Sequence, residues 1–140
     1  LKFWMILRYF GHEGLAARIR EHCRLARLFA SWVEESPDWE LLAPVPLSVV
    51  CFRARPSEEV ETGGDTSARA ARLDALNERL MHALNSTGSI FISHTRLNDK
   101  FTLRLAVGNI RTTEEHVRRA WQLLHETLQT SLDETSRTTP

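Results

Sequence analysis

The side chain with the most unusual setting in this sequence is an arginine inside an apolar strand. Residues 99 to 109, "DKFTLRLAVGN", alternate as a strand does, with Phe101, Leu103, Leu105 and Val107 on one face and Thr102, Arg104 and Ala106 on the other. Small neighbours leave room around Arg104. A guanidinium keeps its charge, so it needs a carboxylate, a phosphate or bulk water nearby. Either its sheet face is open, or Asp99 or a helix glutamate pairs with it, or it offers a planar fork to a two-oxygen anion. Spacing alone favours the plainer settings.

Other chemistry-bearing residues assemble into less. His12, His22, His82, His94, His116 and His125 are scattered, and no pair stands four apart with a glutamate base between. Ser93 and His94 are neighbours in a strand, so they point to opposite faces and do not meet. Gly63 and Gly64 sit in a polar stretch without a flanking strand, so no phosphate cradle is visible. The lysines, Lys2 and Lys100, fall at the chain's start and in a turn, not in dry pockets that would depress an amine's pKa. Cys23 lies in a helical pattern and Cys51 in the apolar run "LSVVCF"; both read as small buried hydrophobes in a reducing compartment. Neither a metal site nor a catalytic nucleophile is expected.

The elements that must position Arg104 follow from periodicity. Residues 1 to 11 predict a helix that is apolar nearly all round, too much so for one small core. Gly11 and Gly14 bracket a break, and a second helix runs from about 15 to 35 with Leu15, Ile19, Cys23, Ala26, Phe29, Ala30 and Val33 on its buried stripe. Arginines 18, 20, 24 and 27 fill its solvated face. Two short strands are expected at about 39–43 and 47–54, separated by Pro44 and Pro46. A polar loop over 56–68 precedes a helix at 67–86 striped by Leu73, Leu76, Leu80 and Leu84. "SIFISHTRL", "NDK" and "FTLRLAVGN" read as strand, turn and strand. Thr112 and Glu115 form a capping box that opens a last helix at about 113–130, buried through Val117, Trp121, Leu124 and Leu128. A polar, frayed tail is expected from Leu132 to Pro140. The fold class is α/β, an α+β sandwich: a mostly antiparallel sheet of about four strands covered by helices.

Eighteen basic and 18 acidic side chains cancel over 140 residues, so charge gives no reason to expect nucleic acid or an anionic membrane as a partner. The apolar run "FWMILRYF" is too short for a membrane span and carries Arg8. The opening on Leu1, in mid-helix pattern, suggests a segment of something longer.

Five blocks in order carry more than their periodicity: "LKFWMILRYFG" (1–11), "GLAARIREHCRLA" (14–26), "LSVVCFR" (47–53), "RLNDKFTLRLAVGN" (96–109) and "HVRRAWQLL" (116–124). Together they resemble the group II pyridoxal-phosphate-dependent amino-acid decarboxylases, closest to the aromatic L-amino-acid branch. The likeness spans about residues 1–130 and breaks at the polar loop.

It implies the small carboxy-terminal domain of a fold type I enzyme. Residues 1–13 would form a linker helix toward a missing large domain, 14–133 the small α/β domain and 134–140 a tail. The parent would be a cytoplasmic homodimer acting on an amino-acid substrate. Pyridoxal 5'-phosphate would be its cofactor, none being expected on this segment, where the family's histidine–lysine pair is absent. The cofactor ring would hold the electrons left when the carboxylate departs. Arg104 matches a small-domain arginine that reaches a substrate carboxylate in some relatives, an inter-domain ion pair being as plausible here. Its side chain would face the large domain, while Asp99 and Lys100 would be structural, and the segment alone would be inactive and would self-associate through residues 1–11. The alternative is a free-standing ligand-binding or regulatory α/β domain with Arg104 as its anion receptor.

Overall fold

A computed structural model describes residues 1–57 and 66–138, with the side chains of 134–138 left aside. Most of the polar segment expected over 56–68, including Gly63 and Gly64, lies outside these residues. The described chain forms three helices and one antiparallel sheet of four strands, an α+β sandwich: α1 (Lys2–Glu35), β1 (Trp39–Leu41), β2 (Val49–Ala54), α2 (Thr66–Ser86), β3 (Ser93–Leu97), β4 (Lys100–Ala106) and α3 (Glu114–Thr138). Strand order is β1-β2-β4-β3.

α1 is two helical pieces joined at Gly11, whose φ of 67° and ψ of 176° only glycine adopts without strain. Gly14 lies inside the second piece, so the expected two-glycine break is a single kink. Beyond the kink Cys23, Leu25, Ala26, Phe29, Ala30 and Val33 are buried. Ile19, expected on that stripe, is 50% exposed. Ahead of the kink, Phe3, Trp4, Met5, Ile6, Leu7 and Tyr9 are all exposed, Tyr9 by 83%.

The strands bear out the alternation and shorten its limits. β1 stops at Leu41 and β2 starts at Val49, because the Pro44–Pro46 turn between them cannot donate to a ladder. Trp39, Val50, Phe52, Phe101 and Leu103 face the helices and form the core with Phe29, Leu80, Leu124 and Leu128. Aromatic rings cluster there: Phe29 lies 5.1 Å from Phe52 and 5.4 Å from Trp121, and Trp39 lies 5.5 Å from Trp121. Burying each of the larger groups contributes about 1.5–3 kcal/mol. Asn98 and Asp99, both at positive φ (50° and 61°), make a two-residue hairpin turn, and Lys100 already belongs to β4.

α2 keeps its expected leucine stripe, and three polar residues beside it hold the sheet. Beyond Phe52 the ladder between β2 and β4 ends. Asn77 takes its place at Ala54, accepting from the backbone N–H at 2.8 Å and donating to the carbonyl at 2.9 Å. Asp74 accepts from the Phe101 N–H at 2.9 Å, and Asn85 brackets Ile92 in the same two-way manner. Sealing these backbone groups matters because a buried donor left unpaired costs about 1–3 kcal/mol.

Two expectations at α3 need correction. The cap sits one residue later than the Thr112–Glu115 box: Thr113 precedes the first helical residue, and His116 Nδ1 stands 3.1 Å from the Thr113 N–H and 2.8 Å from its hydroxyl. Imidazole there fills the place of the usual glutamate. The helix also continues to Thr138 through the supposedly frayed tail. No glycine or proline interrupts it before Pro140.

Candidate functional site

The sheet face turned away from the helices is polar, and the ladder registers define its layout. Glu40 faces Arg53, Thr95 faces Thr102, and Cys51, Arg104 and Ser93 form a row across β2, β4 and β3. This face splits into two differently built parts.

The first part centres on Arg53, which is only 5% exposed. Its Nε donates to Glu40 Oε1, and its Nη1 lies 3.8 Å from Asp74. Glu40 is shared by two further cations, Arg55 at 3.6 Å and Lys100 at 3.9 Å. Asp74 also takes Arg96 at 3.1 Å, so helix α2 is tied to both β2 and β3. A buried guanidinium this well paired is a structural group. The sequence reading passed over it, although the alternation of "VVCFRA" already placed Arg53 opposite the core face.

Arg104 makes the second part. It is half-buried, flanked by the half-buried Cys51 and Ser93, and makes no hydrogen bond or ion pair among the described residues. Neither Asp99 nor a helix glutamate reaches it. Asp99 instead offers its carbonyl oxygen to Arg96 at 2.9 Å. A guanidinium so placed can accept a carboxylate or phosphate side-on through two parallel N–H···O bonds. Cys51, expected in the core, is on this outer face because its register partner is Arg104 and not Leu103; Cys23 is buried as expected.

The remaining candidates stay apart. His94 turns to the core side and stacks on Phe101 at 4.8 Å, while Ser93 shares the Arg104 face. His12 meets Glu13, and His116 caps α3. His125 packs 4.4 Å from Trp121, and its burial lowers its pKa below the usual histidine value, opposed by the charge of Asp38. Among the described residues no three His, Cys, Asp or Glu side chains gather as metal ligands, and no helix is long and apolar enough to cross a membrane.

Pyridoxal phosphate, which the family resemblance implies, needs an uncharged lysine amine in a sheltered pocket to hold it. Lys100 is 43% exposed and faces the Glu40 carboxylate, and Lys2 stands on the exposed first turn of α1. These residues do not fit as the cofactor's own attachment site, so no chemical step through it is assigned to them.

Residues 1–55 match the family model of the pyridoxal-dependent decarboxylase conserved domain. Over 126 residues, 90% of the chain, the sequence is 44% identical to tyrosine decarboxylase 2 of Arabidopsis thaliana and 36% identical to the aromatic-L-amino-acid decarboxylase of Catharanthus roseus. Those alignments cover 22% and 23% of the relatives, so the chain spans less than a quarter of the length of the curated proteins it matches. The fold superposes on the crystal structure of Oryza sativa TDC with PLP and tryptamine with a TM-score of 0.80 and 35% identity, over 93% of this chain and 26% of that one. The homologues of this chain thus include aromatic amino-acid decarboxylases, and the chain resembles one segment of them.

Proposed function

We propose that this chain is the carboxy-terminal small domain of a pyridoxal-phosphate-dependent decarboxylase of aromatic L-amino acids, inactive by itself. The observation that carries the reading is the 44% identity over nine-tenths of the chain to a protein more than four times the aligned length. Two features of the molecule support it. The arm before Gly11 leaves its apolar side chains uncovered, and single domains rarely tolerate such a patch. Arg104 stands half-buried on the outer sheet face with no counter-ion among the described residues.

In this reading the arm packs on a large cofactor-holding domain or on a second subunit of a cytoplasmic homodimer. The outer sheet face closes over the substrate cleft. Arg104 then meets either the carboxylate of an amino acid or an acidic side chain of the large domain.

The test replaces the corresponding segment of tyrosine decarboxylase 2 with this chain and measures carbon dioxide release from L-tyrosine and L-tryptophan. The chimera is expected to be active and the isolated chain inactive. Activity of the isolated chain, or a chimera that folds and binds cofactor but never turns over, would overturn the proposal. Within an active chimera, Arg104→Gln separates the two roles: a substrate contact raises KM, whereas an inter-domain pair weakens closure and lowers kcat. For the arm, sedimentation of the isolated chain should show association that a Phe3→Ser, Trp4→Ser, Tyr9→Ser variant loses.

A further inference from the structure

A cleft of about 290 Å³ opens where the N-terminal end of α2 meets β2 and the β3–β4 hairpin. Among the described residues its polar walls are Glu40, Arg53, Arg55, Thr66, Arg69 and Lys100: four cations against one carboxylate. Glu40 answers three of them, Arg53 by a hydrogen bond, Arg55 at 3.6 Å and Lys100 at 3.9 Å. Asp74, behind Arg53, is engaged by Arg96. Arg69 is half-buried and has no carboxylate within ion-pair distance among the described residues. Among the described residues the cleft therefore holds more positive charge than its carboxylates neutralise.

Burial gives that imbalance consequence. Arg53 is closed off from water, so it and Glu40 form a fixed floor and not a solvated pair. Arg55 and Lys100 stand above that floor at 3.6 and 3.9 Å from Glu40, too far for good hydrogen bonds, with donors left for another acceptor. Several guanidinium forks and an ammonium converging on one opening match a small tetrahedral oxyanion, which takes two-oxygen contacts from arginine and a point charge from lysine.

We propose that this cleft binds a phosphate-class dianion, held by Arg55, Arg69 and Lys100. The site is separate from Arg104 and does not rest on the decarboxylase reading. It lies on the Arg53 part of the sheet face, and its charges are those left over after the structural pairs are satisfied.

The experiment uses the full chain with inorganic phosphate as the probe, read by phosphorus NMR line broadening at constant ionic strength set by chloride. Direct broadening is preferred to a melting shift, because phosphate also stabilises folded proteins by exclusion from their surface. Saturable broadening is expected, with sulfate competing and chloride not. The double variant Arg55→Gln, Arg69→Gln should weaken binding at least tenfold, while Arg118→Gln on α3, the control, leaves it unchanged. Circular dichroism checks whether each variant keeps its fold; Arg55→Gln and Arg69→Gln singly serve if the double does not. Broadening that is unsaturable, or equal in the folded variants, would overturn the proposal. So would binding that emerges only when Glu58, Glu59 and Glu61 are changed to glutamine.

Discussion

Arg53 and Arg104 occupy the same face of neighbouring strands and meet opposite fates. Arg53 is sealed under a strand-edge carboxylate and a helix carboxylate and is 5% exposed. Arg104, in the row Cys51–Arg104–Ser93, has small uncharged neighbours and no counter-ion among the described residues. Identical chemistry and nearly identical placement thus give one arginine that holds the fold together and one that the fold merely displays. What separates them is whether a second element arrives with a carboxylate. α2 brings Asp74 to the Arg53 end, where the β2–β4 ladder has already parted.

That contrast can be broken from the Arg53 side with the largest effect. Glu40→Ala leaves a buried guanidinium with only a distant partner and should cost about 3–5 kcal/mol in urea unfolding. Replacing both members, Glu40→Leu with Arg53→Met, should recover most of that loss and end within about 1 kcal/mol of the parent, since an apolar pair of like volume needs no counter-ion. Asn77→Leu removes the side chain that stands in for the missing ladder beside Arg53. Two backbone groups of Ala54 then lose their partner, for about 2–4 kcal/mol, and the Ala54 amide should exchange faster with solvent. The smallest effect belongs to Arg104→Met, which should change the stability of the isolated chain by no more than about 0.5 kcal/mol because no contact is broken. A loss above about 2 kcal/mol there would erase the distinction between the two arginines.

A fifth expectation concerns acid. The His125 pKa is lowered in the fold mainly by burial, so the unfolded chain takes up this proton first as pH falls. Its contribution is whole above about 6.5, the unfolded value, and is lost as pH drops through the lower folded value. His125→Phe should flatten that part of the stability profile.

Much of the fold was legible because periodicity is a local record of burial. The α2 leucines and the alternation of Phe101, Leu103 and Val107 are buried as their spacing required. Errors fall where a distant element decided the outcome. Ile19 has the right spacing for the core, yet it is half exposed. Cys51 sits in an apolar run, yet pairing with Arg104 turns it outward. The cap of α3 shifted by one residue because a histidine nitrogen can do what the glutamate was expected to do.

The sequence by itself determined which faces are apolar, where the turns fall, that an arginine interrupts β4, and which family the chain resembles. Those properties follow from side-chain type and period, and no distant contact is needed to state them. Only the tertiary structure decided which arginine has a counter-ion among the described residues and which has none. It also decided that three cations share one carboxylate, Glu40, at the rim of a cleft. Charge neutralisation depends on separations of a few ångströms between residues remote in the chain, and spacing along a sequence does not encode that distance.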